Sequence, residues 1–176
     1  MSGRTTLLLV NGIGGIGVLA SYVNGIDSPH TASGGIWGGV PEAAQGLYTV
    51  SMFTAASGYF PFTYLFTFGV DPVRARFMGF RLSFVTALYA LVLFPSAMWL
   101  PLTARYLDAP SSGGWLAIQA VLATVAIASL GLLACIVTLT PSPPRWLRIA
   151  SITGALFFCF QTVVLDAVIW VVSFPN

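Results

Sequence analysis

Residues 115–138 read WLAIQAVLATVAIASLGLLACIVT, a run with no charged side chain. A helix of roughly 20 apolar residues crosses the hydrocarbon of a bilayer. In that solvent every backbone N–H and C=O must find its partner within the segment, which a helix provides. The run predicts a transmembrane helix. Working outward from it, segments 5–26, 45–68, 82–103 and 149–174 have the same character. Polar or Pro/Gly-rich stretches at 27–44, 69–81, 104–114 and 139–148 divide them. The sequence therefore predicts an all-α polytopic integral membrane bundle of five transmembrane helices, a single transmembrane domain over residues 1–176.

The whole-chain composition points the same way. Of 176 residues, 57% are hydrophobic and 7% charged, whereas soluble domains carry about 25% charged residues. Mean hydropathy is +0.88. The lipid bilayer is the expected partner and the bacterial inner membrane the expected location. The net charge of +2 comes from arginines dispersed between apolar segments, with no lysine. No basic patch results, which argues against nucleic acid. The stretch 5–26 is too long for a signal-peptide core and reads as a retained first helix.

Charge placement orients the bundle. With five spans, Arg4, Arg74, Arg76, Arg81, Arg145 and Arg148 share one side, and Arg105 alone lies on the other. Cytoplasmic loops are enriched in basic residues. The N-terminus is therefore expected in the cytoplasm and the C-terminus outside. Trp37, Tyr48, Trp99, Tyr106, Trp115 and Trp170 fall near the outer boundary and Trp146 near the inner one, where aromatic rings favour the headgroup level.

Several motifs carry candidate chemistry. Gly12, Gly14 and Gly17 match G-x-G-x-x-G, but no strand–helix alternation follows, so a dinucleotide turn is not expected. Gly14, Gly17 and Ser21 fall on one helical stripe and predict a close helix-packing seam, across which Asn11 can hydrogen-bond. Asp166 lies inside the last span, where a carboxylate costs on the order of 2–3 kcal/mol or more unless paired, hydrated or protonated. By α-helical spacing Cys159, Thr162, Asp166 and Trp170 share a face, with Gln161 on the adjacent one. That face lines an internal cavity or makes a structural hydrogen bond between helices. Glu42, beside Pro41, opens the second helix as a solvated start or points into the mouth of a pocket. Ser51, Thr54 and Gly58 form a small polar stripe. Pro61 and Pro95 are expected to kink their helices. His30, near Asp27, offers too few ligands for a metal site. Cys135 and Cys159 lack CxxC spacing and read as packing residues. No nucleophile–base constellation assembles, so no catalytic residue is assigned.

The layout resembles the TspO / peripheral benzodiazepine receptor (tryptophan-rich sensory protein) family. Leu47-Tyr48, Trp99-Leu100-Pro101 with Ser96, and Leu165-Asp166 correspond to short motifs of that family, with Asp166 standing where the family has Asn. The first loop lacks its Trp-x-Pro-Pro run, and Ala44 stands where a Trp is usual. The resemblance implies a pocket for a porphyrin, carotenoid, sterol or other lipid, open outward and capped by the first loop, with Tyr48, Trp99 and Asp166 facing it. Three readings follow. The first is a membrane-embedded binding or carrier protein for a lipophilic ligand of porphyrin, sterol or isoprenoid type, with Trp37, Glu42, Tyr48, Trp99, Thr162 and Asp166 as ligand-binding candidates. The second is a non-catalytic transmembrane subunit of a larger complex or a homodimer. The third is a membrane enzyme or proton-coupled transporter using Asp166.

Overall fold

The computed structural model describes residues 2–26 and 35–174. Five long helices make up most of them: α1 (Gly3–Ile26), α2 (Glu42–Phe68), α3 (Leu82–Asp108), α4 (Ser112–Val137) and α5 (Arg145–Ser173). Each coincides, to within a few residues, with one of the hydropathic segments. A short 3-10 turn, Gly35–Trp37, precedes α2. α5 is continuous but changes pitch: Arg145–Cys159 is α-helical, Phe160–Trp170 is a π-helix, and Val171–Ser173 closes as α-helix.

Local chemistry sets the helix ends. Ser2 Oγ accepts the Thr5 amide at 3.2 Å, and Ser111 Oγ accepts the Gly114 amide at 3.2 Å. Pro41 and Pro144 stand immediately before α2 and α5, where a fixed φ and a missing N–H suit a helix start. Inside the helices Thr49, Thr54, Thr86, Thr103, Thr124 and Ser129 each donate to the carbonyl four residues back, at 2.7 to 3.1 Å. Their hydroxyls are satisfied within the helix, so apolar spans tolerate them. Pro61, Pro95 and Pro101 lie inside helices that continue past them.

α1, α3, α4 and α5 are each long and apolar enough to cross a membrane. α2 matches α3 in length, at 27 residues, but its first half carries Glu42, Gln45, Tyr48, Thr49, Ser51 and Thr54. It nonetheless runs antiparallel beside α5. Tyr48 donates to the Leu165 carbonyl at 3.0 Å near one end, and Ser151 donates to the Pro61 carbonyl at 3.2 Å towards the other. Between them Gly58 meets Gly154 so closely that a methyl on Gly58 would lie 2.6 Å from the Gly154 carbonyl oxygen.

α3 lies between α1 and α4, α4 reaches α5, and α5 carries α2. α1 and α2 scarcely touch. Gly14 and Gly17 turn towards α3: a methyl there would lie 2.7 Å from Leu93 Cβ and 3.6 Å from Ala97 Cβ respectively. Ser21 is buried on the same side and donates to the Val18 carbonyl. Asn11 does not bond across this seam. Its Oδ1 accepts from Tyr59 of α2 at 2.5 Å, linking the two helices that otherwise stay apart. The glycine triplet sits inside continuous helix, so it forms no phosphate-cradling turn.

The core has two lobes. One, around Phe62, Phe66, Phe77, Tyr89 and Leu132, fills the half of the bundle nearer Arg4. The other, around Tyr48, Ile118, Leu122, Leu165 and Trp170, fills the half nearer Trp37. At the first end the interhelix segments pair: Arg76 and Thr140 exchange backbone hydrogen bonds of 2.8 and 3.0 Å. There Arg4 reaches the Val70 carbonyl and Arg148 the Val137 carbonyl. Every arginine except Arg105 belongs to this end.

Candidate functional site

Asp166 sits on the π-helical stretch of α5 and is half-buried. Its side chain accepts a 2.7 Å hydrogen bond from Gln161 Nε2. The two residues are five apart. At α-helical pitch they lie on adjacent faces, but an i→i+5 helix brings them onto one. The expected face of Cys159, Thr162, Asp166 and Trp170 is revised accordingly: Gln161 joins Asp166, while Thr162 turns its hydroxyl back to the Phe158 carbonyl at 3.0 Å.

Aromatic side chains of three other helices pack in the same half of the bundle. Tyr48 of α2 donates to the Leu165 carbonyl, one residue before Asp166, and Tyr22 belongs to the last turns of α1. Tyr22 also packs against Trp99 of α3, with ring centroids 6.5 Å apart. Trp99 in turn meets Trp170 of α5 edge-on at 5.7 Å. The turn that carries Asp166 therefore lies against α2, and the aromatic chain Trp170–Trp99–Tyr22 joins the same helix to α3 and α1.

Above the pair is an aromatic cap. Trp170 donates to the Ile36 carbonyl at 3.0 Å, pinning the 3-10 turn. Trp37 meets Tyr48 edge-on at 6.1 Å. Trp115 stacks on Phe174 at 5.2 Å, and Tyr106 packs against both. The residues expected at an outer boundary pack largely on one another. The turn after Trp37 requires glycine twice. Gly38 has φ +57°, and any Cβ on Gly39 would collide with the Ser173 carbonyl.

Among the described residues two buried polar atoms in this half have no hydrogen-bond partner: Trp99 Nε1, a donor, and Gln161 Oε1, an acceptor. Leaving such a group unpaired costs about 1–3 kcal/mol. One ligand hydroxyl or one water can satisfy both kinds of atom.

Of the residues expected to bind ligand, Tyr48 and Trp99 belong to one apolar cluster, and Tyr48 bonds the carbonyl of Leu165, one residue before Asp166. Trp37 belongs to the cap above them, Thr162 is satisfied within its own helix, and Glu42 is exposed at the start of α2. Asp27 and His30 lie outside the described residues. Tyr22 carried no signal in the sequence, because its role follows from packing against Trp99. Among the described residues no group of His, Cys, Asp and Glu is placed to hold a metal ion, and Cys135 and Cys159 are buried and unpaired. No protein family, curated protein or solved structure matches this chain.

Proposed function

We propose that the chain crosses a bilayer five times, with its arginine end in the cytoplasm, and binds a lipophilic molecule bearing a small polar head at the Asp166–Gln161 pair. The observation that carries this reading is the unsatisfied Gln161 Oε1 on an amide that bonds a carboxylate inside a span, with a second unsatisfied atom, Trp99 Nε1, in the same half of the bundle. Intramembrane ionisable groups mark pathways and ligand sites by default. An apolar pocket with a few placed polar groups is the usual form of such a site. A ligand seated on this amide must donate to Gln161 Oε1. Among porphyrin, carotenoid, sterol and isoprenoid ligands, a hydroxylated sterol or isoprenoid supplies that donor with its one polar group. The loose contact between α1 and α2 supplies a lateral entry from the membrane.

The five-span topology rests on two features. The arginines gather at one end, as the positive-inside rule requires of a cytoplasmic face. α2 also turns Leu47, Val50, Phe53 and Phe60 outward, each more than half exposed, as lipid contact demands.

The test compares farnesol with its methyl ether, which keeps the acceptor and loses the donor. Farnesol is expected to raise the melting temperature of the detergent-solubilised protein. The ether is expected to bind about tenfold more weakly, the worth of one hydrogen bond. Gln161→Leu should remove the difference between them. Absence of stabilisation by farnesol, by cholesterol and by protoporphyrin would sink the ligand reading.

A second reading, a transmembrane subunit or homodimer, is favoured by α1. This helix is held almost wholly through α3 and turns Leu8, Leu9, Ile13, Ile16, Leu19 and Val23 outward. It predicts that native mass spectrometry from mild detergent finds a stoichiometric second chain in place of a bound lipophile.

A further inference from the structure

The arginine end carries a second feature, independent of the Asp166 cluster. A cleft of about 590 Å³ opens there, lined by Arg76, Gly79, Phe80, Arg81, Ser83 and Phe84. We propose that this cleft holds the phosphate headgroup of an anionic phospholipid, with Arg76 and Arg81 as the anion-binding groups and Phe80 and Phe84 against the lipid's apolar part.

The charge is uncompensated and partly pre-positioned. Among the described residues no carboxylate pairs with Arg76 or Arg81; Asp71 lies instead beside Arg74, at 3.7 Å. Arg76 Nη1 donates to the Val73 and Ala75 carbonyls at 2.8 and 2.9 Å, which holds the guanidinium in place. Its remaining N–H groups and those of Arg81 are available for the planar, paired hydrogen bonding that guanidinium makes to phosphate. Ser83 adds a hydroxyl. α3 begins at the cleft with no side-chain cap, so its first-turn amides add positive character.

The apolar part of the site is built by a tight turn. Phe77 and Phe80 exchange backbone hydrogen bonds of 2.9 and 2.8 Å around Met78 at φ 54° and Gly79 at φ 85°. A positive φ at a non-glycine residue is held only where its surroundings over-determine it. The Met78 amide is anchored on Thr138 Oγ1 at 3.0 Å. The turn sends Met78 and Phe80 outward, 48% and 54% exposed, and places Phe80 4.7 Å from Phe84, ring to ring. Exposed apolar side chains beside unpaired arginines at a span's end match an anionic lipid surface, and basic pockets between helix ends bind such headgroups. The cleft at the opposite end, lined by Leu102, Arg105, Tyr106, Ala109, Ser111 and Gly114, has one arginine and serves as an internal control.

The experiment measures lipid retention by native mass spectrometry, and melting temperature, for the intact chain in dodecyl maltoside. Phosphatidylglycerol, phosphatidylcholine and inorganic phosphate are the probes. Phosphatidylglycerol is expected to bind about thirtyfold better than phosphatidylcholine, the preference two interfacial arginines supply, and to raise the melting temperature by several degrees. Arg76→Gln/Arg81→Gln should abolish the preference. Arg81→Gln alone, which leaves the backbone bonds of Arg76 intact, should weaken it, and Arg105→Gln should leave it unchanged. Equal retention of the two lipids would overturn the proposal. So would an equal loss on Arg105→Gln, or an equal stabilisation by inorganic phosphate alone.

Discussion

Asp166 was conspicuous in the sequence as an acid inside an apolar span, but its partner was not. The 2.7 Å bond from Gln161 exists because the helix widens at that point. A hydrogen bond to a charged group contributes about 1.5–3 kcal/mol, comparable to the lower figure for placing a carboxylate at such depth. Removing one partner should therefore hurt more than removing both. Gln161→Leu alone is expected to cost about 1–3 kcal/mol, read as a lower melting temperature in detergent. Gln161→Leu/Asp166→Leu should recover most of that loss while eliminating farnesol binding. Asp166→Asn should keep the bond to Gln161 and most of the stability. If Asp166→Asn abolishes transport by a reconstituted protein that still binds ligand, the proton-coupled reading gains over the binding reading. Tyr59→Phe belongs to the same scale. It removes the link to Asn11 across α1 and α2, for about 1 kcal/mol, and should increase hydrogen exchange in α1.

The elements differ in how legible they were. α4 is uncharged throughout, and nothing but a helix satisfies its backbone in lipid. α2 was read from the same rule although it is the most polar of the five, because the rule concerns its backbone and its outward side chains. The α1 seam was legible as small residues at helical spacing, and Gly14 and Gly17 do lie on α3. The tighter crossing of Gly58 on Gly154 was not, since a lone glycine in each of two distant helices makes no pattern until the helices meet. A graded series tests this. Gly12→Ala, with nothing near its new methyl, should leave stability unchanged or slightly raised. Gly14→Ala puts its methyl 2.7 Å from Leu93 Cβ, an atom fixed to its own backbone, so α1 must move off α3 and stability should fall. Gly58→Ala meets backbone on the opposite helix and should cost about 1–3 kcal/mol as overpacking does. Equal melting temperatures across the series would mean that α2 and α5 are not in this contact.

At the scale of the molecule, the arginines and the aromatic cap mark opposite ends, and the proposed orientation follows from them. Single cysteines at Ser142 and Ser112, in a background with Cys135 and Cys159 replaced by Ala, make the test direct. A membrane-impermeant maleimide added from outside is expected to label Ser112→Cys and spare Ser142→Cys. Labelling of both from one side would show that α4 does not cross. The five hydrophobic segments, their ends and the charge difference between the two ends were determined by the sequence itself, since helix formation in an apolar solvent is a local requirement on each segment. The order of helices around the bundle, the gap between α1 and α2, the glycine crossing and the pairing of Tyr22 with Trp99 and of Gln161 with Asp166 were decided only by the tertiary structure. In a bilayer no hydrophobic drive sorts helix faces; shape and hydrogen bonding between two faces at once choose the neighbours, and one segment does not carry that information alone.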